Sequence, residues 1–346
     1  MNKRKDEILK FVAANLKEHP RDIITVTAEH FNVTNSAISQ HLRSLIKDGQ
    51  IEATGKGRSR SFTFKKTTHV FEEVITPDLH EDQIWNTRIK PILPELKENI
   101  TNICHYGFTE MFNNVIDHSA SKTAKIIVQI DQGEIELVIL DSGIGIFKKI
   151  KDEFNLPDER QAILELSKGK LTTDPSRHTG EGIFFTSRVF NSFSIWSGEL
   201  FFSHTTDNMD WLITAKDEYP GTRVSMAISR NSERTLQSVF DSFASADEDF
   251  SFSKTIVALV LSKYEGEQLV SRSQAKRILN RVDKFKTVML DFAKIDFVGR
   301  AFIDEIFRVY RNEHPNIFIA HVNANKAIVG LIESVIGSSG QMVPNS

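Results

Sequence analysis

Ile135-Glu136-Leu137-Val138-Ile139-Leu140-Asp141-Ser142-Gly143-Ile144-Gly145-Ile146 is the stretch on which the reading of this chain turns. Residues 135–140, apolar but for Glu136, spell a strand that runs straight into a carboxylate, and two glycines follow it one residue apart. A carboxylate at the end of a strand can accept a hydrogen bond from an amino group, and glycines let backbone approach a flat ligand closely. Just upstream, Ile126-Ile127-Val128-Gln129-Ile130 and the turn Asp131-Gln132-Gly133 supply a partner strand.

Further upstream, Tyr106 to Ser119 reads as a helix. At about 100° per residue, Glu110, Asn114 and Asp117 fall within about 60° of one another, and Phe108, Met111, Phe112 and Val115 take the opposite side. Downstream, Thr179-Gly180-Glu181-Gly182-Ile183-Phe184 opens an apolar helix, and Gly221-Thr222-Arg223-Val224 begins a final strand. In this order and at this spacing the four motifs resemble the GHKL, or Bergerat, ATP-binding domain shared by gyrase, a heat-shock chaperone, histidine kinases and MutL. The resemblance implies that ATP and Mg²⁺ are the cofactors. By it, Asp141 receives the adenine amino group, with Gly143 and Gly145 close to the base and the Thr222 hydroxyl near it. Gly180 and Gly182, flanked by Thr179 and Ile183, cradle phosphates at a helix N-terminus. Asn114 offers Mg²⁺ a neutral oxygen, with Asp117 on the same face among the nucleotide-binding residues. Glu110, one turn before Asn114, stands where hydrolysing members of the superfamily keep the acid that activates water.

Between the two Gly-rich motifs, residues 147–178 are polar and helix-prone, with Lys168, Lys170, Arg177 and His178 near the end. By the same resemblance this interval is the ATP lid, and Lys168 among its basic residues would favour the bound anion.

The first 66 residues carry 13 Lys and Arg against 7 Asp and Glu, and since the whole chain is at -3, the remainder holds nine net negative charges. A basic head on an acidic body points to a polyanion partner. Ile8, Leu9, Phe11, Val12 and Leu16 recur at helical spacing, a short helix covers 27–31, and Asn35 or Ser36 is placed to cap a third helix through Ile46. Two short strands, 50–54 and 61–64, flank the Gly-rich basic tip Gly55-Lys56-Gly57-Arg58-Ser59-Arg60. Three helices and a hairpin resemble the winged helix-turn-helix of bacterial regulators. That likeness puts Asn35, Ser36, Ser39, Gln40 and Arg43 toward base edges of double-stranded DNA and Lys56, Arg58 and Arg60 on phosphates, with a homodimer reading two half-sites. Residues 69–98 read as a connector broken by Pro77, Pro91 and Pro94.

After a helix and an acidic linker over 233–252, strands and helices alternate from Thr255 to Ile336. Val288 to Phe307 resembles a STAS-like domain, a docking place for a regulatory protein. Antagonists of that fold switched by phosphorylation have a Ser before the helix, whereas here the loop Asp296-Phe297-Val298-Gly299-Arg300-Ala301-Phe302 has no hydroxyl. The expected architecture is a multidomain α+β protein: winged helix (1–68), Bergerat-type α/β sandwich (99–232) and small STAS-like α/β domain (253–346). A single cysteine, Cys104, allows no internal disulfide, and no apolar run reaches the roughly 20 residues a membrane span needs, so a cytoplasmic location is expected. The function expected is an ATP-binding transcriptional regulator. An ATP hydrolase using Glu110, or an anti-sigma-type serine protein kinase acting on a STAS-domain partner, is the alternative.

Overall fold

Ile8 and Val12 lie on the inner face of α1 (Lys3–Asn15) and, with Leu16, meet Ile23 of α2 (Ile23–Phe31) and Ile38, Leu42 and Leu45 of α3 (Asn35–Lys47). The cap of α3 is Thr34, one residue before the positions expected, because its extended backbone lets Oγ1 accept from the Ala37 amide at 3.3 Å. β1 (Ile51–Thr54) and β2 (Ser61–Phe64) pair antiparallel, and Ile51 and Phe62 close a core that belongs to this head alone. The computed structural model describes residues 3–172, 180–205, 209–244, 251–264 and 266–337, a mixed α/β chain with three sheets.

Only Lys65 and Lys66 separate β2 from β3 (Thr67–Val74). The start of the expected connector is therefore a strand: β3 pairs antiparallel with β4 (Thr123–Ile130) along its full length, Thr67 opposite Ile130 and Val74 opposite Thr123. Its strand signal is blunted because it is an edge, with Val70 and Val74 facing out at 52% and 66% exposure and Phe71 packed inward. The prolines do interrupt the chain beyond β3, where a short α4 (Glu81–Ile84) is continued by a π-turn and a 3₁₀ turn to Ile92.

α5 (Glu98–His118) lays Phe108, Met111, Phe112 and Val115 on the sheet, where they meet Ile126 of β4 and Leu137 and Ile139 of β5 (Glu134–Asp141). α6 (Ile146–Glu153), α7 (Glu159–Lys168) and α8 (Gly182–Val189) come next, then a long hairpin of β6 (Ser192–Thr205) and β7 (Met209–Ser229). The sheet order is β3-β4-β5-β7-β6, and it sets Asp141 opposite Thr222.

Beyond α9 (Leu236–Phe243) comes a small parallel sheet, ordered β10-β9-β8, from β8 (Lys254–Ala258), β9 (Thr287–Asp291) and β10 (Phe318–Val322). α10 (Arg272–Leu279), α11 (Arg300–Asp304), which runs through a π-turn into α12 (Arg311–Glu313), and α13 (Lys326–Gly337) complete the alternation read from the sequence. β8 stops at Ala258, and the chain curls into a 3₁₀ turn over Leu259–Ser262.

Two cores result. One is the head's; the other runs without a break from Ile84 to Ile336, so the middle and C-terminal parts share their interior. Their seam holds α7, which lies in the interval read as polar and helix-prone. Every residue from Gln161 to Lys168 is buried there. Among the described residues no helix is long and apolar enough to cross a membrane.

Candidate functional site

β5 ends at Asp141 beside β7, α5 lies across the same end of the sheet, and α8 starts nearby, so three distant parts of the chain meet around one cleft. Of the residues named from the sequence, Glu110, Asn114, Asp141, Gly145, Gly180, Gly182, Ile183 and Thr222 line it.

Asp141 is only 4% exposed. Burial pushes its carboxyl above the ordinary value, opposed by hydrogen bonds from the Gly143 amide and from the amide and hydroxyl of Thr222. The Gly143 bond is 2.8 Å, and Thr222 Oγ1 also accepts from the Ile146 amide at 3.1 Å. Gly143 itself lies just outside the cleft; a Cβ there would collide with the Ser119 carbonyl, so a side chain would push the loop away from Asp141.

Glu110 faces the first turn of α8. A Cβ on Gly182 would strike the Glu110 carboxylate, so the glycine is what lets that carboxylate lie against the helix N-terminus. Tyr106, one turn earlier on α5, is held well above its ordinary value, by burial first and then by the carboxylates of Glu110 and Glu181. Two acids thus converge at this end of the cleft.

Among the lining residues that the sequence reading missed are His118 and Lys149. His118 is one turn beyond Asn114 and Lys149 one turn beyond Gly145; the Lys149 ammonium donates to the His118 carbonyl at 3.3 Å. The i+4 spacing from each motif was the available signal.

Other expected residues lie elsewhere. Asp117 is exposed on α5 and does not line the cleft. Lys168 does not line the cleft: its ammonium lies 2.8 Å from Glu165 and 2.7 Å from the Asn280 carbonyl, in the seam. Thr179, Arg177 and His178 lie outside the described residues. In the head, Asn35, Ser36, Gln40 and Arg43 are exposed on α3 and Ser39 is half-buried. Lys56 and Arg60 are exposed at the hairpin tip, Arg60 lying 5.0 Å over the Phe62 ring; Arg58 is in the turn between them, and its side chain is outside the described residues. The Cys104 thiol is pushed up to about 12 by burial and is chemically quiet.

Residues 274–329 match a family described as a STAS-like domain of unknown function, DUF4325. The C-terminal part is STAS-like. No curated protein matches the chain. In the STAS-like loop, Gly299 caps α11 and Phe297 is 56% exposed, and no hydroxyl residue stands before the helix.

Proposed function

We propose that this protein is an ATP-binding regulator of transcription, in which Mg-ATP occupancy of the cleft controls DNA binding by a winged-helix head. One observation carries the reading: Glu110, Asn114, Asp141, Gly180, Gly182 and Thr222, far apart in sequence and named from a GHKL likeness, line a single cleft. Asp141, buried with a raised carboxyl, suits a ligand that donates a hydrogen bond, as the adenine amino group does. Gly180 and Gly182 offer backbone amides at the start of α8 to phosphate oxygens. Asn114 would carry the magnesium through its amide oxygen, and the bound ion would offset phosphate charge. No cluster of three acidic, His or Cys side chains able to hold a metal exists among the described residues, and an ion that keeps its waters and phosphate oxygens needs none.

In the head, exposed Asn35, Ser36, Gln40 and Arg43 suit the major groove and Lys56 and Arg60 suit phosphates of double-stranded DNA, a homodimer reading two half-sites. A second reading, an ATP hydrolase or a serine protein kinase acting on a STAS-domain partner in the cytoplasm, draws on the Glu110 carboxylate at the start of α8.

Thermal melting with and without Mg-ATP tests the first claim: at a hundredfold its Kd a ligand adds about 2.7 kcal/mol. An unchanged melting temperature at millimolar Mg-ATP removes it. Incubation with γ-labelled ATP then separates the readings, since label on protein marks a kinase, label in free phosphate a hydrolase, and neither a sensor.

A further inference from the structure

The Gly-rich loop around Gly180 is strung between α7 and α8, and both helices are seated on the C-terminal side of the molecule. At the start of α7 the Tyr264 hydroxyl donates to its capping residue Asp158, and at its end Lys168 Nζ donates to the Asn280 carbonyl at 2.7 Å. Thr255 Oγ1 adds a bond to the Lys168 carbonyl at 2.7 Å. On α8, the rings of Phe184 and Phe185 stand 4.7 and 4.9 Å from Phe252.

One side chain of the STAS-like part reaches further. Arg281 projects from a left-handed backbone (φ 60°), a conformation that favours glycine, yet an arginine occupies it. Its guanidinium lies 4.5 Å over the ring of Phe154, which lines the cleft, and its Nε is 3.9 Å from the Glu165 carboxylate buried in α7. A planar cation that stacks on a ring and faces a carboxylate at once is suited to fixing two elements against each other.

We propose that Arg281 is a positioning residue through which the STAS-like domain sets the wall of the cleft, so that nucleotide retention and the seating of that domain are one coupled equilibrium. The proposal rests on the reading of the cleft as a nucleotide site. Coupling is reciprocal: whatever unseats the STAS-like domain loosens the nucleotide, and nucleotide tightens the seat.

Arg281→Gly in the full chain tests it, because glycine accepts the backbone angle without strain and removes only the reach. Two quantities are read: amide hydrogen exchange over residues 154–171 without nucleotide, and release of Mg-bound N-methylanthraniloyl-ATP by stopped flow. Both are expected to quicken by about tenfold, with Arg281→Lys recovering part of each through its charge over the ring. Wild-type rates for both overturn the proposal, and so does a lowered melting temperature with unchanged release, which marks a merely structural arginine. If the wild-type chain fails to capture the probe, the nucleotide reading falls and the coupling with it, while exchange still reports whether Arg281 holds α7. Should Arg281→Gly not fold, Tyr264→Phe loosens the other end of α7 and is read the same way.

Discussion

Glu110 and Asn114 sit one turn apart on α5 and line the same cleft, yet their chemistry differs: a carboxylate can take a proton from water, and an amide cannot. Glu110→Ala is expected to bind Mg-ATP normally and to lose turnover by about 10²–10⁴-fold if hydrolysis occurs. Asn114→Ala is expected to weaken Mg-ATP binding by about 10–100-fold, the range for a lost hydrogen bond to a charged group. Isothermal titration and phosphate release read the two; equal, wild-type behaviour in both would remove the assignment.

His204 carries a second prediction at this scale. Arg188 Nη1 and the Asp210 carboxylate each lie 2.7 Å from its Nδ1, and all three side chains are buried. Burial first, then the Arg188 charge, holds the imidazole below its ordinary value, so the folded protein keeps it neutral. The unfolded chain takes the proton first as pH falls. Stability from this group is therefore full above the ordinary histidine value of 6.5 and is lost below it, by at most about 1.4 kcal/mol per pH unit. Urea midpoints at about pH 7 and 5 should fall in wild type and fall less in His204→Asn, whose amide does not titrate in this range. Parallel slopes would dismiss the prediction.

At the scale of elements, the sequence was legible where one face of an element is buried and the other wet. α5, β5 and the strands and helices from 254 to 337 follow that rule; α5 begins at Glu98, eight residues before the helix read from Tyr106, and the other positions agree with the sequence pattern within a few residues. β3 escaped because its valines face out at an edge. The burial of α7 was not legible in its polar, helix-prone sequence because the partner that buries Gln161 to Lys168 lies about a hundred residues downstream, at Asn280 and its neighbours, and local pattern cannot see it. Asp141 and the glycines stood out because their chemistry is local; His118 and Lys149 did not, being ordinary helix residues placed by tertiary packing.

The same helix gives a test. Burial lowers the Lys168 ammonium, although the Glu165 carboxylate 2.8 Å away works in the opposite sense. Lys168→Ala should cost about 3–5 kcal/mol, since it removes the ammonium closest to the buried Glu165 carboxylate and leaves only the longer 3.9 Å contact with Arg281 to balance its charge. Replacing both, Lys168→Met with Glu165→Gln, should cost far less, because no uncompensated charge remains. Denaturant midpoints for the single and double variants decide it; additive losses would show the pair is not coupled.

For the whole molecule, the composition suggested three parts but packing makes two. The head has its own core, whereas the cleft-bearing and STAS-like parts share one. Calorimetry should therefore resolve two cooperative transitions, and Mg-ATP should raise the one belonging to residues 84–336. Three transitions, or a nucleotide shift confined to the head, would contradict this. Between the two bodies lie only Lys65 and Lys66, backed by Lys17 on Glu134 at 2.8 Å, so a movement of the sheet edge has little slack before it reaches the helices of the head.

The shared interior also bears on inheritance. A nonsense codon between Phe243 and Phe252 would remove the Phe252 ring from Phe184 and Phe185 and bare the flank of α7, leaving a sticky surface for quality-control proteases. Such alleles should behave as nulls with no detectable protein, and not as unregulated, permanently active forms.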